Sequence, residues 1–264
     1  EMQRSLVGSE MCIRDRNTTN NTIKPWVDSF KSRLDHEEEA IITNTQAIEM
    51  ADNNTVLVIV DVNKPSITEC PDLLKYCRSV VVLDHHRQGE EVVENATLSY
   101  VEPYASSACE MVAEILQYVG DGIKVKGVEA DCLYAGIVID TNNFVAKAGV
   151  RTFEAAAFLR RSGADVTRVR KMFREDANDY RAKADAVGQA KIYMDEYAIS
   201  VCHGEDTSAP TVVCAQAANE LLNIKGIKAS FVLTQYNQMI YISARSIDEV
   251  NVPVSYTHLR AHET

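Results

Sequence analysis

Asp61, closing the apolar run TVLVIVDV at 55–62, and the triplet Asp84, His85 and His86, closing SVVVLDHH at 79–86, combine the residue types and spacing most suited to chemistry in this 264-residue chain. Carboxylate oxygens and imidazole nitrogens suit Mn²⁺, and two such ions can activate a water while neutralising phosphate oxygens. Asp140, in VIDTNNF, is the third acid able to join them. The chemistry implied is phosphoester hydrolysis. A lone strand-end aspartate such as Asp61 or Asp140 often does no more than cap the next helix or loop. Two adjacent histidines behind a buried strand, about 23 residues beyond an aspartate ending another, are far harder to explain as caps.

For those groups to meet, the two runs must lie side by side. Both are β-branched, continuous and of strand length, the pattern of strands covered on both faces. Between them PDLLKYC places Pro71 in the first turn of a short helix, so strand, helix and strand form a crossover of the βαβ type and a parallel sheet. In such sheets ligands bind at the carboxyl ends of the strands, where Asp61 and the triplet fall. LSYVEP predicts a further strand. Ser106 or Ser107 caps a helix through about Tyr118, with Glu110 completing a capping box from Ser107. VEADCLYAGIVIDT reads as a buried helix ending near Asp140, followed by helical stretches over 151–162, 166–174 and 177–193. EYAISVCHG, SFVLTQY and QMIYISARS then read as strands, with a helix over APTVVCAQAANELLN. The expectation is an α/β protein: a parallel-sheet domain over 17–175, a connector helix over 176–193 and a smaller α/β domain over 194–252.

Composition narrows the function classes. With 27 Lys and Arg against 38 Asp and Glu, the net charge of -11 argues against tracking long nucleic acid, which calls for a basic stripe. Cations held by acidic residues would give an anionic substrate the local attraction it needs. No apolar run is long enough to span a bilayer, so this segment is expected to make no direct membrane contact. The seven cysteines are odd in number and show no CxxC or zinc-like spacing, which fits a reducing cytosol and makes Cys132 and Cys202 core residues. GDGIKVKG lacks the spacing and the preceding strand of a phosphate cradle, so neither an NTPase nor a dehydrogenase is supported.

VIVDVNKPSITEC, VVVLDHHRQG, SSACEMV and AGIVIDTNNFVAKAGVRTFEAAAFLRRSGA, taken in that order, resemble the DHH domain of GdpP-type cyclic di-AMP phosphodiesterases over most of residues 23–252. The resemblance implies a hydrolase that opens cyclic di-AMP to linear pApA with two Mn²⁺ ions. In that reading Asp61 bridges the ions, His85 is a ligand and Asp140 completes the second ion's shell. Asp84 is a ligand or orients one, and His86 faces the substrate phosphate. The second domain resembles the DHH-associated domain, in which Arg245 and Ser246 of ISARS grip the substrate, a guanidinium fork suiting phosphate. Members usually carry membrane helices and sensory domains ahead of this region, so the full-length protein is expected to be membrane-anchored with this part facing the cytosol. Other options are a DHH oligoribonuclease or phosphatase acting on short linear nucleotides, and a non-catalytic nucleotide-binding regulatory module. Oligomeric state is left open, a homodimer included.

The pattern departs from the family in two places. A histidine followed by two aspartates at alternating positions normally supplies ligands for one metal, and no such segment precedes Asp61; His36, beside Asp35 and Glu37 to Glu39, lacks the spacing. The GGGH loop expected after Arg245 is also missing. Residues 1–16 and 253–264 resemble translated sequencing adapters and are set aside, including His258 and His262, whose i, i+4 spacing imitates a metal pair. A cut at both ends would explain both gaps, and this chain alone is expected to hydrolyse cyclic di-AMP poorly or not at all.

Overall fold

The computed structural model describes residues 42–119, 124–203, 207, 209–236 and 239–246, and the backbone of two short strands near the start, β1 (Arg4–Val7) and β2 (Glu10–Ile13). Those two strands pair antiparallel. The segment 17–41, with the amphipathic helix and acidic turn expected there and His36, lies outside the described residues, as do His258 and His262. The chain divides into two compact units, 1–173 and 174–264.

In the first unit, helix α1 (Asn44–Met50) starts at Thr43, whose hydroxyl accepts from Gln46 N while the Gln46 side chain returns to Thr43 N. Strand β3 (Val56–Val60), the short helix α2 (Leu73–Tyr76) and strand β4 (Ser79–Asp84) form the expected crossover. β4 pairs in parallel with β3 on one side and with β5 (Leu98–Val101) on the other, so it lies at the centre of a three-stranded parallel sheet. Leu57, Ile59, Val80 and Val82 bury one layer of the sheet against Ala47 of α1 and Leu73 of α2.

Four helices follow: α3 (Ala108–Leu116), α4 (Gly127–Asp140), α5 (Val150–Arg161) and α6 (Val166–Met172). The first three share a core built on Ala113, Leu133, Ile137, Ala155 and Leu159. α4 is apolar nearly all round, as a helix enclosed by neighbours must be, and Cys132 is buried within it. Small residues let the helices close in. A Cβ added to Gly136 of α4 would overlap the Cys109 sulfur of α3 and stand 3.2 Å from its Cβ.

Two buried carboxylates tie these helices together. Ser107 caps α3, accepting from Glu110 N at 3.0 Å, but the expected capping box is only half formed. The Glu110 carboxylate, buried away from water, instead accepts from the Ser106 hydroxyl and from Thr152 Oγ1 of α5, the latter at 2.6 Å. Partners for a buried charge outweigh a cap on an otherwise satisfied backbone N–H. On α4, Asp131 is fully buried and accepts from Arg168 Nε of α6 at 2.7 Å and from Asp165 N at 2.6 Å. Asp131→Ala is expected to lower stability by about 2 kcal/mol in denaturant titration. That is below the usual cost of breaking a buried pair because the Arg168 side chain is 37% exposed and its charge can be rehydrated.

The second unit begins with α7 (Ala177–Gly188), the helix expected to act as a connector, and then strand β6 (Lys191–Tyr193). The helix expected over 177–193 is therefore shorter, because residues 191–193 pair antiparallel with β7 (Tyr197–Val201) instead of continuing it. Helix α8 (Pro210–Leu221) and strands β8 (Ala229–Tyr236) and β9 (Met239–Ser246) complete the unit. The sheet order is β6, β7, β8, β9, with only the β7–β8 pair parallel. Ala186, Ala198, Cys202, Val213, Leu221 and Val232 lie in its core.

Candidate metal centre

β3 and β4 run in parallel register, Val60 opposite Leu83, so their carboxyl ends open at one edge of the sheet. Asp61 extends the ladder by one bond, its N–H donating to Leu83 O at 2.9 Å, and then turns the chain with φ at 69°. A non-glycine residue in that left-handed region is strained, and such strain persists where surrounding contacts fix it. Asn63 is one such contact. Its side-chain amide donates to His86 O at 3.4 Å and links the two strand-end loops.

Beyond β4 the paired histidines diverge. The His85 side chain is 9% exposed, with Nε2 3.3 Å from Asp61 Oδ1 and 4.0 Å from Asp140 Oδ2, the latter on the last residue of α4. His86 is more open, and its Nδ1 lies 2.7 Å from Oδ1 of the fully buried Asp84. That pairing fixes the ring and leaves Nε2 as its outward nitrogen. The two imidazole centroids are 4.3 Å apart. Asp61 and Asp140 thus both approach His85. His86 comes closer than expected: one donor atom each from Asp61, His85 and His86 lies within 4.8 Å of the other two.

The electrostatics favour a cation. Asp61 beside it raises the pKa of His85, against burial, with Asp140 and Asp84 adding to the rise. Burial and the neighbouring Asp61 raise the pKa of Asp140, against the pull of the two histidines. Carboxylates that hold a proton on an imidazole this way would equally hold a divalent ion in its place. Asp61 Oδ1 and Asp84 Oδ2 are buried without a hydrogen-bond partner, the 3.3 Å approach of His85 to Asp61 being an ion-pair distance without hydrogen-bond alignment. A buried, orphaned carboxylate oxygen of Asp61 facing the His85 imidazole belongs to a donor set that a divalent metal ion satisfies.

Arg245 and Ser246 end β9 in the second unit, Ser246 opposite Ala229 of β8. Arg245 Nε donates to Asn219 Oδ1 of α8 and Nη1 to Ala244 O, both at 3.0 Å, and the side chain is exposed. Sequence reasoning missed Asn63 and Thr141, which hold the loops after β4 and α4 in the first unit, and Asn219, which holds Arg245 within the second unit. Thr141 is buried just after Asp140, donating to Ile137 O at 2.6 Å and accepting from Phe144 N at 2.9 Å. No periodicity or spacing marks any of them, because each acts through a hydrogen bond across the fold or a turn.

Residues 7–137 match the model of the DHH family, N-terminal domain. The cyclic-di-AMP phosphodiesterase PdeA of Listeria monocytogenes is 42% identical over 215 residues, 81% of this chain and 33% of the relative. The cyclic-di-AMP phosphodiesterase GdpP of Bacillus subtilis is 38% identical over 246 residues, 92% of this chain and 37% of the relative. The chain therefore spans about a third of the length of these relatives. Among solved structures, an exopolyphosphatase-related protein from Bacteroides fragilis matches with a TM-score of 0.74 at 19% identity, over 91% of this chain and 71% of the other, a likeness of fold. The family match runs through Asp61, Asp84 and both histidines, and with it the chain belongs to the DHH family.

Proposed function

We propose that this chain is the hydrolytic part of a phosphodiesterase that opens cyclic di-AMP to linear pApA in the cytosol with Mn²⁺. The observation that carries the reading is the meeting of Asp61, His85 and Asp140 at one sheet edge, in a chain 38–42% identical to proteins named for that activity. Asp61, His85 and Asp140 would hold the metal, with His86 beside them. A divalent ion there supplies Lewis acidity to phosphate oxygens and makes water a usable nucleophile near neutral pH. The chain's own residues do the rest. Asp84 holds the His86 ring so that its outer nitrogen can meet a phosphate oxygen or move a proton. Arg245 and Ser246 of the second unit would bind phosphate, the Arg245 guanidinium being held through Nε by Asn219. Among the described residues no helix is long and apolar enough to cross a membrane.

The test is chromatographic: appearance of pApA from cyclic di-AMP with Mn²⁺, in the protein at the length of its relatives, compared with consumption of pApA itself. No ring opening with metal bound would reject the reading, and faster consumption of pApA would shift it to a linear-nucleotide hydrolase. In that protein Arg245→Ala is expected to raise KM about tenfold with a small change in kcat, the size of one lost charge-assisted hydrogen bond. A fall in kcat with unchanged KM would move Arg245 from substrate binding to the chemical step.

A further inference from the structure

Just past Asp140 the backbone does something costly. Asn142, Asn143 and Phe144 have φ of 47°, 60° and 64°, three successive non-glycine residues in the left-handed region. Each is disfavoured by about 1 kcal/mol or more, so the turn must be held by what surrounds it. Asn143 N donates to Val138 O at 2.9 Å, Ala146 N to Thr141 O at 2.8 Å, and Phe144 N to the buried Thr141 hydroxyl. The turn thus has one shape, and that shape delivers an aromatic ring. Phe144 packs against Tyr134 with the ring planes tilted by 57° and stacks on Phe153 of α5, with centroids 5.6 Å apart and planes 20° apart.

The outer member of that stack is open. Phe153 is 55% exposed and Val150, one turn before it on the same face of α5, is 75% exposed. Asn142 and Asn143 are exposed beside them, offering amides of the kind that pair with the edge of a base. Only three residues separate Asp140 from Phe144, at most about 14 Å of chain if extended and less in a hydrogen-bonded turn. An exposed ring, Phe153, stacked on a preorganised one, Phe144, that lies close along the chain to Asp140 is a poor way to make a surface and a good way to hold a base.

We propose that Phe144, Phe153 and Val150 form a base-stacking platform beside the metal centre, taking a purine of the dinucleotide whose phosphate lies at Asp61, His85 and Asp140. The proposal rests on the function put forward above and goes beyond it. The metal site selects a phosphodiester, and the platform selects what the diester carries. Phe144 is the fixed inner ring, its position set by the strained turn. Phe153 is the surface the base meets, and Val150 extends it. Stacking tolerates any base, so the preference for adenine falls to the Asn142 and Asn143 amides at its edge.

The probe is a linear pApA in which one adenine is 2-aminopurine, whose fluorescence is quenched on stacking, titrated at equilibrium into the full chain with Mn²⁺. Because quenching needs no turnover, failure to open cyclic di-AMP would reject the activity while this measurement judges the platform. Wild type is expected to quench the probe, Phe153→Ala to weaken its binding about tenfold or more with Mn²⁺ affinity unchanged, and Phe153→Trp to restore it. Phe153 is exposed, so its removal should leave the melting temperature nearly unchanged. Equal affinity in Phe153→Ala would overturn the proposal, as would a parallel loss of binding to inorganic phosphate. A change in oligomeric state with the probe's affinity intact would make the patch a subunit contact instead.

Discussion

His85→Ala is expected to lower the affinity for Mn²⁺ by at least about a hundredfold in a calorimetric titration, and to abolish ring opening in the protein at the length of its relatives. The reason is geometric and electrostatic. His85 Nε2 is the atom nearest to both acids, 3.3 Å from Asp61 and 4.0 Å from Asp140, and the ring is nearly enclosed. Changing a partner that merely orients a ligand costs about 10–100-fold, and removing the central donor should cost more. Asp61→Asn should act in the same direction by deleting a charge while keeping the shape. Asp61→Asn should fold, because it keeps the side-chain shape and trades the lost attraction to His85 against relieved repulsion from Asp140, so in chelator it should melt close to wild type. Tight Mn²⁺ binding in both variants would remove the cluster from consideration as the metal centre.

The second large effect lies away from the site. Gly136→Ala should destabilise the protein by about 3 kcal/mol, because the new methyl group overlaps the Cys109 sulfur across the α3–α4 contact. Alanine has the higher helix propensity, which would stabilise an exposed position by about 1 kcal/mol, so the sign of the change reports packing over propensity. Cys109→Ala in the same chain removes the sulfur and leaves only the 3.2 Å approach of Cβ, and should recover most of the loss. Gly136 lies four residues before Asp140 on the same helix. The single variant should therefore also weaken Mn²⁺ binding, and the double variant should restore it. A Gly136→Ala protein of wild-type stability would mean that α3 and α4 lie further apart than described.

The DHH segment was legible in the sequence because its local chemistry and its tertiary role coincide. A β-branched run that ends in Asp61, a second that ends in Asp84, His85 and His86, and a crossover between them leave one arrangement, a parallel sheet with the acids at its edge. Overall apolarity likewise placed α4 and its end near Asp140, since a helix apolar on most sides must be enclosed. The element ends were less legible where partners compete for the same group. Glu110 has the spacing of a capping box, yet its carboxylate is claimed by Ser106 and Thr152. Residues 191–193 carry the pattern of a continuing helix, yet they pair with β7.

What the sequence by itself determined is the inventory of the site: which residues carry carboxylate and imidazole groups, and that two strands bring most of them to one edge. What only the tertiary structure decided is how those groups are shared. It turned His86 onto Asp84, set His85 beside both Asp61 and Asp140, left Asp61 Oδ1 and Asp84 Oδ2 buried without hydrogen-bond partners, and forced the turn after Asp140 into left-handed backbone. The physical reason is that residue type and spacing along a strand or helix are local, whereas burial and hydrogen bonding depend on every element that meets at a point.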